Sequence, residues 1–204
     1  MPADPPQAPI LTADPQRRLA QLLALLAPER WPLPPGALPP GTALVGGAVR
    51  DALLGRTAQR PDLDLIVRGD GVALAQQLAA AHGGSWVALD RERGIGRWVR
   101  RGWTIDLARQ EGPDLDTDLA RRDYSVNAIA LPLAAGAGLV DPQGGQADLE
   151  RGLLRAIGEA NLLADPLRLL RGPRLAAELG LRLDPTSEAW IRRHAARLQQ
   201  VAGE

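Results

Sequence analysis

The segment PDLDLIV, residues 61–67, constrains the fold more than any other stretch, because it sets two acids two positions apart inside an apolar run. A strand alternates its faces with period two, so Leu63 and Leu65 point one way and Asp62 and Asp64 the other. From the strand rise alone the two acidic residues lie roughly 6–7 Å apart. At an effective dielectric near 20, repulsion between two ionised carboxylates at that distance is on the order of 2–3 kcal/mol. A chain that keeps such a strand must bury its apolar face and offset the charge on the other.

Composition removes many ways of doing so. The chain has 204 residues, 45% of them hydrophobic, enough for one core plus a small second domain. Cysteine is absent, which excludes disulfides, thiolate catalysis and Cys-based zinc sites. With only His82 and His194, neither a histidine-rich metal site nor a Ser-His-Asp triad is expected. All 24 basic residues are arginine, so a lysine Schiff base and a P-loop lysine are excluded. Formal net charge is zero, and the chain as a whole is no polycation. No apolar run reaches the roughly 18 residues that span a bilayer, and no signal-peptide pattern opens the sequence, so a soluble cytoplasmic protein without membrane association is expected.

Eleven of the 18 prolines fall within residues 1–40. Asp14-Pro15 predicts an N-cap and first helical residue, opening a Leu-rich helix to about Leu26. PERWPLPPGALPPG then reads as an extended connector, and the whole extension is expected to pack on the surface. From Ala43 the pattern changes: ALV predicts a short strand, Gly46-Gly47 a turn, and AVRDALLG a helix ending at Gly55. PDLDLIV is the next strand, followed by the Ala-rich helix VALAQQLAAAHGG. SWVAL, IGRWVR and GWTIDLA predict three more strands, the last two joined by a turn at Arg101-Gly102. DTDLARRDYSVNAIAL reads as helical, DPQGG as a turn, and a further short helix starts at Ala147. Beyond about residue 158 the sequence reads as purely helical, with Asp165-Pro166 and Asp184-Pro185 opening two helices and Gly180 stopping the first. The expected class is α+β, a mixed sheet with interleaved helices and then a helical unit.

A third acid, Asp106, lies in WTIDLA between the core-facing Ile105 and Leu107. If strands 61–67 and 103–108 are neighbours, three carboxylates share one patch. Oxygen ligands of this kind suit Mg²⁺, which keeps its other positions for water and phosphate. A D-x-D pair alone also suits a solvated strand face. In LVGGAVRD, however, Gly46-Gly47 lets backbone amides approach phosphate oxygens, and Arg50 adds charge-assisted bonds to the same group. Farther on, Arg168, Arg171 and Arg174 recur every three residues and share one side of a helix, which would equally describe a solvated amphipathic face.

Taken in order, LVGGAVRDALLG, PDLDLIV, ARRDYSVNAIAL, VDPQGGQADLERGLLR and ADPLRLLRGPRLAAELGLRL resemble the motifs of bacterial class II nucleotidyltransferases. That group, within the DNA polymerase beta superfamily, contains tRNA CCA-adding enzymes and bacterial poly(A) polymerases. The resemblance covers residues 42–184 and implies a polymerase beta-like catalytic head at 42–157 and an all-helical, nucleotide-selecting neck at 158–204, preceded by a Pro-rich extension at 1–41. It implies that Asp62, Asp64 and Asp106 are catalytic and hold Mg²⁺. It further implies that Gly46, Gly47 and Arg50 bind the triphosphate, and that Arg122, Asp123 and Asn127 handle the ribose and phosphates. Asp165 and Arg168, with Arg171 and Arg174 nearby, match residues that read the base edge of CTP or ATP.

The sequence departs from the family at three places. Ala164 stands where the neck usually has an acid, and Gly172-Pro173 is expected to interrupt and kink the neck helix, displacing Arg174. Full-length relatives continue into body and tail domains that grip tRNA, so this chain reads as head and neck only, with a partner protein or an oligomer expected to supply that grip. Only residues 110–115 remain as loop before the RRD motif, too few for the mobile lever that helps such enzymes switch from CTP to ATP. The implied activity is therefore addition of CC to the tRNA 3′ end. A poly(A) polymerase-like enzyme and a non-catalytic nucleotide- or RNA-binding remnant are the alternatives.

Overall fold

The computed structural model describes residues 14–34, 36–56 and 58–200. The expected Pro-rich start lies partly outside the described residues. Helix α1 (Pro15–Leu26) begins where Asp14 accepts from the amides of Gln16 and Arg17. It packs onto the rest of the fold through one face: Leu22 and Leu26 are buried, as is Trp31 beyond it, and all three join the main core, while most of the helix stays exposed. The N-terminal segment thus contributes apolar area to the core, the term that dominates folding.

The sheet is built from β1 (Ala43–Val45), β2 (Leu63–Val67), β3 (Ser85–Asp90), β4 (Ile95–Arg100), β5 (Trp103–Arg109) and β6 (Ala130–Pro132), in the order β3-β4-β5-β2-β1-β6. Only β2 and β5 run parallel; the other pairs are antiparallel, giving the mixed sheet the sequence implies. Leu63, Leu65, Ile105 and Leu107 are buried, as strand alternation requires. Helix α2 (Gly47–Leu53) follows β1, and α3 (Gly71–His82) is capped by Asp70 and packs against β3, β4 and β5.

The segment 116–131 departs from the expected continuous helix. Helix α4 covers only Leu115–Ala120, a 3-10 turn covers Ser125–Asn127, and the apolar end forms β6. Pairing Ala43, Leu44 and Val45 with Pro132, Leu131 and Ala130 satisfies the outer edge of β1 and buries Ala130 and Leu131. Helix α5 (Gly145–Glu150) begins two residues before Ala147, with Asp141 accepting from the amides of Gly145 and Gln146.

Nor is the C-terminal part purely helical. Strand β7 (Leu153–Leu154) pairs in parallel with β8 (Arg182–Leu183), fastening the two ends of the segment that holds α6 (Glu159–Leu163) and α7 (Leu167–Leu179). Helix α7 runs unbroken through Pro173 and ends on left-handed Gly180. The glycine before Pro173 removes one obstacle: part of the clash that bars a pre-proline residue from helical geometry involves its Cβ, which Gly172 lacks. Helix α8 (Pro185–His194) is capped by Asp184, as expected. Among the described residues, no helix is long and apolar enough to cross a membrane.

Candidate active site

Asp64 and Asp106 are direct register partners on the parallel strands β2 and β5, so the sheet places both acids on the same face. Asp62 precedes β2 and is exposed, while Asp64 is half-buried. Burial first, and then the charge of Asp106, push the Asp64 carboxyl above its ordinary range; Arg122 and Arg171 pull it back. Gly46 sits beside it with φ 75°, and a Cβ built there would lie 3.0 Å from Asp64 Oδ2. A glycine is required on both counts: the backbone is left-handed, and the space belongs to the carboxylate. The glycine turn and Asp64 therefore border the same volume.

Among the described residues, no three acidic or histidine side chains gather closely enough to ligate one ion. Asp106 takes a bidentate pair of bonds from Arg97, Nε to Oδ1 at 2.7 Å and Nη2 to Oδ2 at 2.8 Å. The donor set still suits a hard cation, because Mg²⁺ is commonly held by one or two carboxylates plus phosphates and water. Asp62 and Asp64 are the acids with that capacity.

The remaining candidate residues form a connected polar network. Arg50 is buried and donates from Nη1 to Asn127 Oδ1 at 2.6 Å and from Nε to Asp51 Oδ1 at 2.8 Å. Asn127 Nδ2 donates in turn to Asp123 Oδ1 at 3.4 Å, the same oxygen that accepts from the Tyr124 amide. Asp123 Oδ2 forms an ion pair with Arg171 Nε at 2.9 Å, without hydrogen-bond alignment. Helix α2 is thus wired to helix α7. Arg122 pairs with Asp118 at 3.3 Å, yet its buried Nε has no hydrogen-bond partner.

Toward α7, a cleft of about 660 Å³ joins Asp64 and Asp106 to Arg122, Asp165, Arg168 and Arg171. Arg168 Nη1 donates to the carbonyls of Arg121 and Asn161, both at 2.9 Å, and burial lowers its proton affinity. One oxygen of Asp165 accepts from the Leu167 amide. Arg174 lies on a smaller contiguous hollow with Gly46, Gly47 and Arg50.

Two arrangements were missed in the sequence reading. One is the Arg97 clasp on Asp106. The other is Glu111, whose carboxylate pairs with Arg93 at 2.9 Å and with Arg121, while its amide donates to Asp118. Burial opposes ionisation of Glu111, but the two arginines hold its carboxyl below the usual range.

This arrangement of acids, glycine turn and arginine-lined cleft has known counterparts. The poly A polymerase head domain model matches residues 42–111 and 104–155, together more than half of the chain. The chain belongs to that family. A CC-adding tRNA nucleotidyltransferase of Synechocystis sp. is 45% identical over 176 residues, 86% of this chain and 42% of the relative. An A-adding tRNA nucleotidyltransferase of Deinococcus radiodurans is 47% identical over 171 residues, 84% of this chain and 38% of the relative. Among solved structures, a CCA-adding enzyme with CTP superposes with a TM-score of 0.67 at 27% identity, covering 91% of this chain and 44% of that one. The chain therefore spans about two-fifths of the length of the curated relatives it matches. The α+β fold with a nucleotidyltransferase head is shared with the poly A polymerase head-domain family.

Proposed function

We propose that this chain is a CC-adding tRNA nucleotidyltransferase, transferring CMP from CTP to a tRNA 3′ hydroxyl. In this reading residues 42–157 are the catalytic head and residues 158–204 the nucleotide-selecting neck. The observation that carries it is Asp64, placed between the Gly46-Gly47 turn and the arginine-lined cleft that holds Asp165 and Arg168.

Asp62 and Asp64 would hold Mg²⁺, with Asp106 as the neighbouring third acid. When bound, such ions polarise the α-phosphate, favour the deprotonated 3′ hydroxyl and stabilise the leaving pyrophosphate. The chain's own residues do the rest. The glycine turn lets backbone amides approach the triphosphate, and the unpartnered Nε of Arg122 is a buried donor that a phosphate oxygen satisfies. The Arg50–Asn127–Asp123–Arg171 network fixes the neck relative to the head, so the base edge meets Asp165 and Arg168 at a set distance from the reacting phosphate. The free oxygen of Asp165 can accept from a base amino group, while Arg168 donates to a ring nitrogen or carbonyl. A polar pair of this kind rejects bases that leave it unpaired.

The preference for CC over CCA addition rests on the segment before the RRD motif. Glu111 is clamped by Arg93, Arg121 and the Asp118 acceptor, and Asp114 caps α4 through the Thr117 amide. A short segment tied at both ends has little freedom to re-form the pocket for ATP after CTP.

The deciding assay supplies Mg²⁺ and either CTP or ATP to tRNAs ending before CCA, after one C, or after CC. C incorporation on the first two and little A addition on the third is expected. Efficient A addition to the CC-ended tRNA refutes the CC-only reading, and long A runs on unrelated RNA favour the poly(A) polymerase alternative. No incorporation from either nucleotide favours a non-catalytic binding protein.

Base selection makes a separate prediction. Asp165→Asn keeps the oxygen that caps α7 but replaces the other acceptor with a donor, and Arg168→Ala removes the guanidinium. Each is expected to erode discrimination of CTP against UTP by about 10- to 100-fold, the scale of a hydrogen bond to a charged group. Ratios of kcat/KM for the two nucleotides measure this, and unchanged ratios would make the pair a solvated helix face.

A further inference from the structure

Strand pairing puts Arg97, Asp106 and Asp64 in one row across β4, β5 and β2. Arg97 engages both oxygens of Asp106 at 2.7 and 2.8 Å, the fork-on-fork geometry that is the strongest form of this pair. The guanidinium stays charged at any accessible pH. Neither partner is cut off from solvent, with side-chain exposures of 40% and 22%, so the pair can separate without stranding a buried charge.

The row therefore carries its own cation. Arg97 bonds both oxygens of Asp106, whereas Arg122 and Arg171 act on Asp64 through charge alone. A metal ion drawing on Asp106 would have to displace two charge-assisted bonds; one drawing on Asp62 and Asp64 displaces none that the structure shows. We propose that Arg97 is a resident counter-ion that keeps Asp106 from ligating a divalent cation in the nucleotide-free protein, leaving Asp62 and Asp64 as the resting metal site. This rests on the metal-binding reading given above. Arg97 is a positioning residue here, acting through Asp106.

The test is Mn²⁺ binding to the nucleotide-free protein, followed by the electron paramagnetic resonance of the free ion. Asp106→Asn is expected to change the Kd by less than about twofold, while Arg97→Met, which releases a third acid, tightens it about tenfold, the scale on which outer partners tune metal affinity. Arg97→Lys, which keeps the charge but not the fork, falls between. The double variant Arg97→Met/Asp106→Asn returns to the wild-type value, because the released acid is gone. If Asp106→Asn weakens Mn²⁺ binding about tenfold or more in the wild-type background, Asp106 is already a ligand and the proposal fails; this holds even if Arg97→Met does not fold. Equal affinity of Arg97→Met and wild type also overturns it. Wild type that takes up no Mn²⁺, or Asp64→Asn that binds it normally, refutes the metal reading itself and is distinguishable from failure of the Arg97 assignment.

Discussion

Asp64→Ala is expected to abolish nucleotide incorporation while leaving the fold intact. A metal-bound carboxylate of this kind supports several kcal/mol of charge stabilisation in the transition state. Losing about 4 kcal/mol is about a thousandfold in rate. Asp62→Ala is expected to cost a similar factor, since in the proposed reading the two acids hold the ion together. The stability effects differ. Asp64 is half-buried, and burial and Asp106 raise its carboxyl, whereas Asp62 is exposed. A carboxyl raised in the folded state binds its proton more tightly there than in the unfolded chain. Its ionisation therefore costs stability, absent below the ordinary carboxylate range and complete once pH has risen through the folded value. In metal-free buffer Asp64→Ala or Asp64→Asn should raise Tm near neutral pH and lose that advantage at acid pH, whereas Asp62→Ala should do little. Incorporation assays and thermal melts with and without Mg²⁺ check both parts. Near-wild-type turnover by either alanine variant refutes the assignment of the pair.

The position of this pair was legible because strand alternation is a local rule. Leu63, Leu65, Ile105 and Leu107 declare one face, and the acids between them must take the other. Which acids meet was legible only as a condition, since parallel pairing of β2 with β5 depends on the crossover between them. The Arg97 clasp could have been read. Arg101 and Gly102, with φ 51° and 78°, form a two-residue hairpin turn with both central residues left-handed. Counting back from that turn pairs Val99 with Thr104, Trp98 with Ile105 and Arg97 with Asp106.

Other features lay beyond any local signal. NAIAL is a short apolar run, and periodicity alone does not separate a buried strand from a buried helix of that length. The free edge of β1 decided it. Strands β7 and β8 contribute two residues each, from positions nearly thirty residues apart, and exist only as a long-range pair. The bonds from Arg50 to Asn127 and from Asp123 to Arg171 are likewise long-range, so spacing nominated the residues without revealing that they bind one another. Proline misled in the opposite direction. A proline within a helical pattern is ordinarily a break, but part of the steric reason lies with the residue before it, and here that residue is glycine.

That glycine carries the second large prediction. Gly172 is buried where α7 crosses Tyr124, and a Cβ there would lie 2.3 Å from the Tyr124 hydroxyl oxygen and 2.8 Å from Ile191 Cδ1. Tyr124 cannot easily retreat, being fully buried with its hydroxyl donating to the Arg168 carbonyl at 2.9 Å. Gly172→Ala would gain up to about 1 kcal/mol of helix propensity. Against that stand about 1–3 kcal/mol of overpacking and the pre-proline clash that alanine restores at Pro173. The unfavourable terms win, with an expected net loss of about 2 kcal/mol, or a Tm lower by about 4–8 °C in a chain of this size. Because α7 carries Arg168 and Arg171, moving it off Tyr124 should also raise KM for CTP more than it lowers kcat. Tyr124→Phe removes the oxygen that meets the new methyl, so Gly172→Ala should cost less in that background than in wild type, although Tyr124→Phe alone loses its bond to Arg168. Denaturant melts of the four proteins give the coupling energy. A neutral or stabilising Gly172→Ala, or additive effects of the two changes, would show that α7 does not rest on Tyr124 and is held chiefly by the ion pair of Asp123 with Arg171.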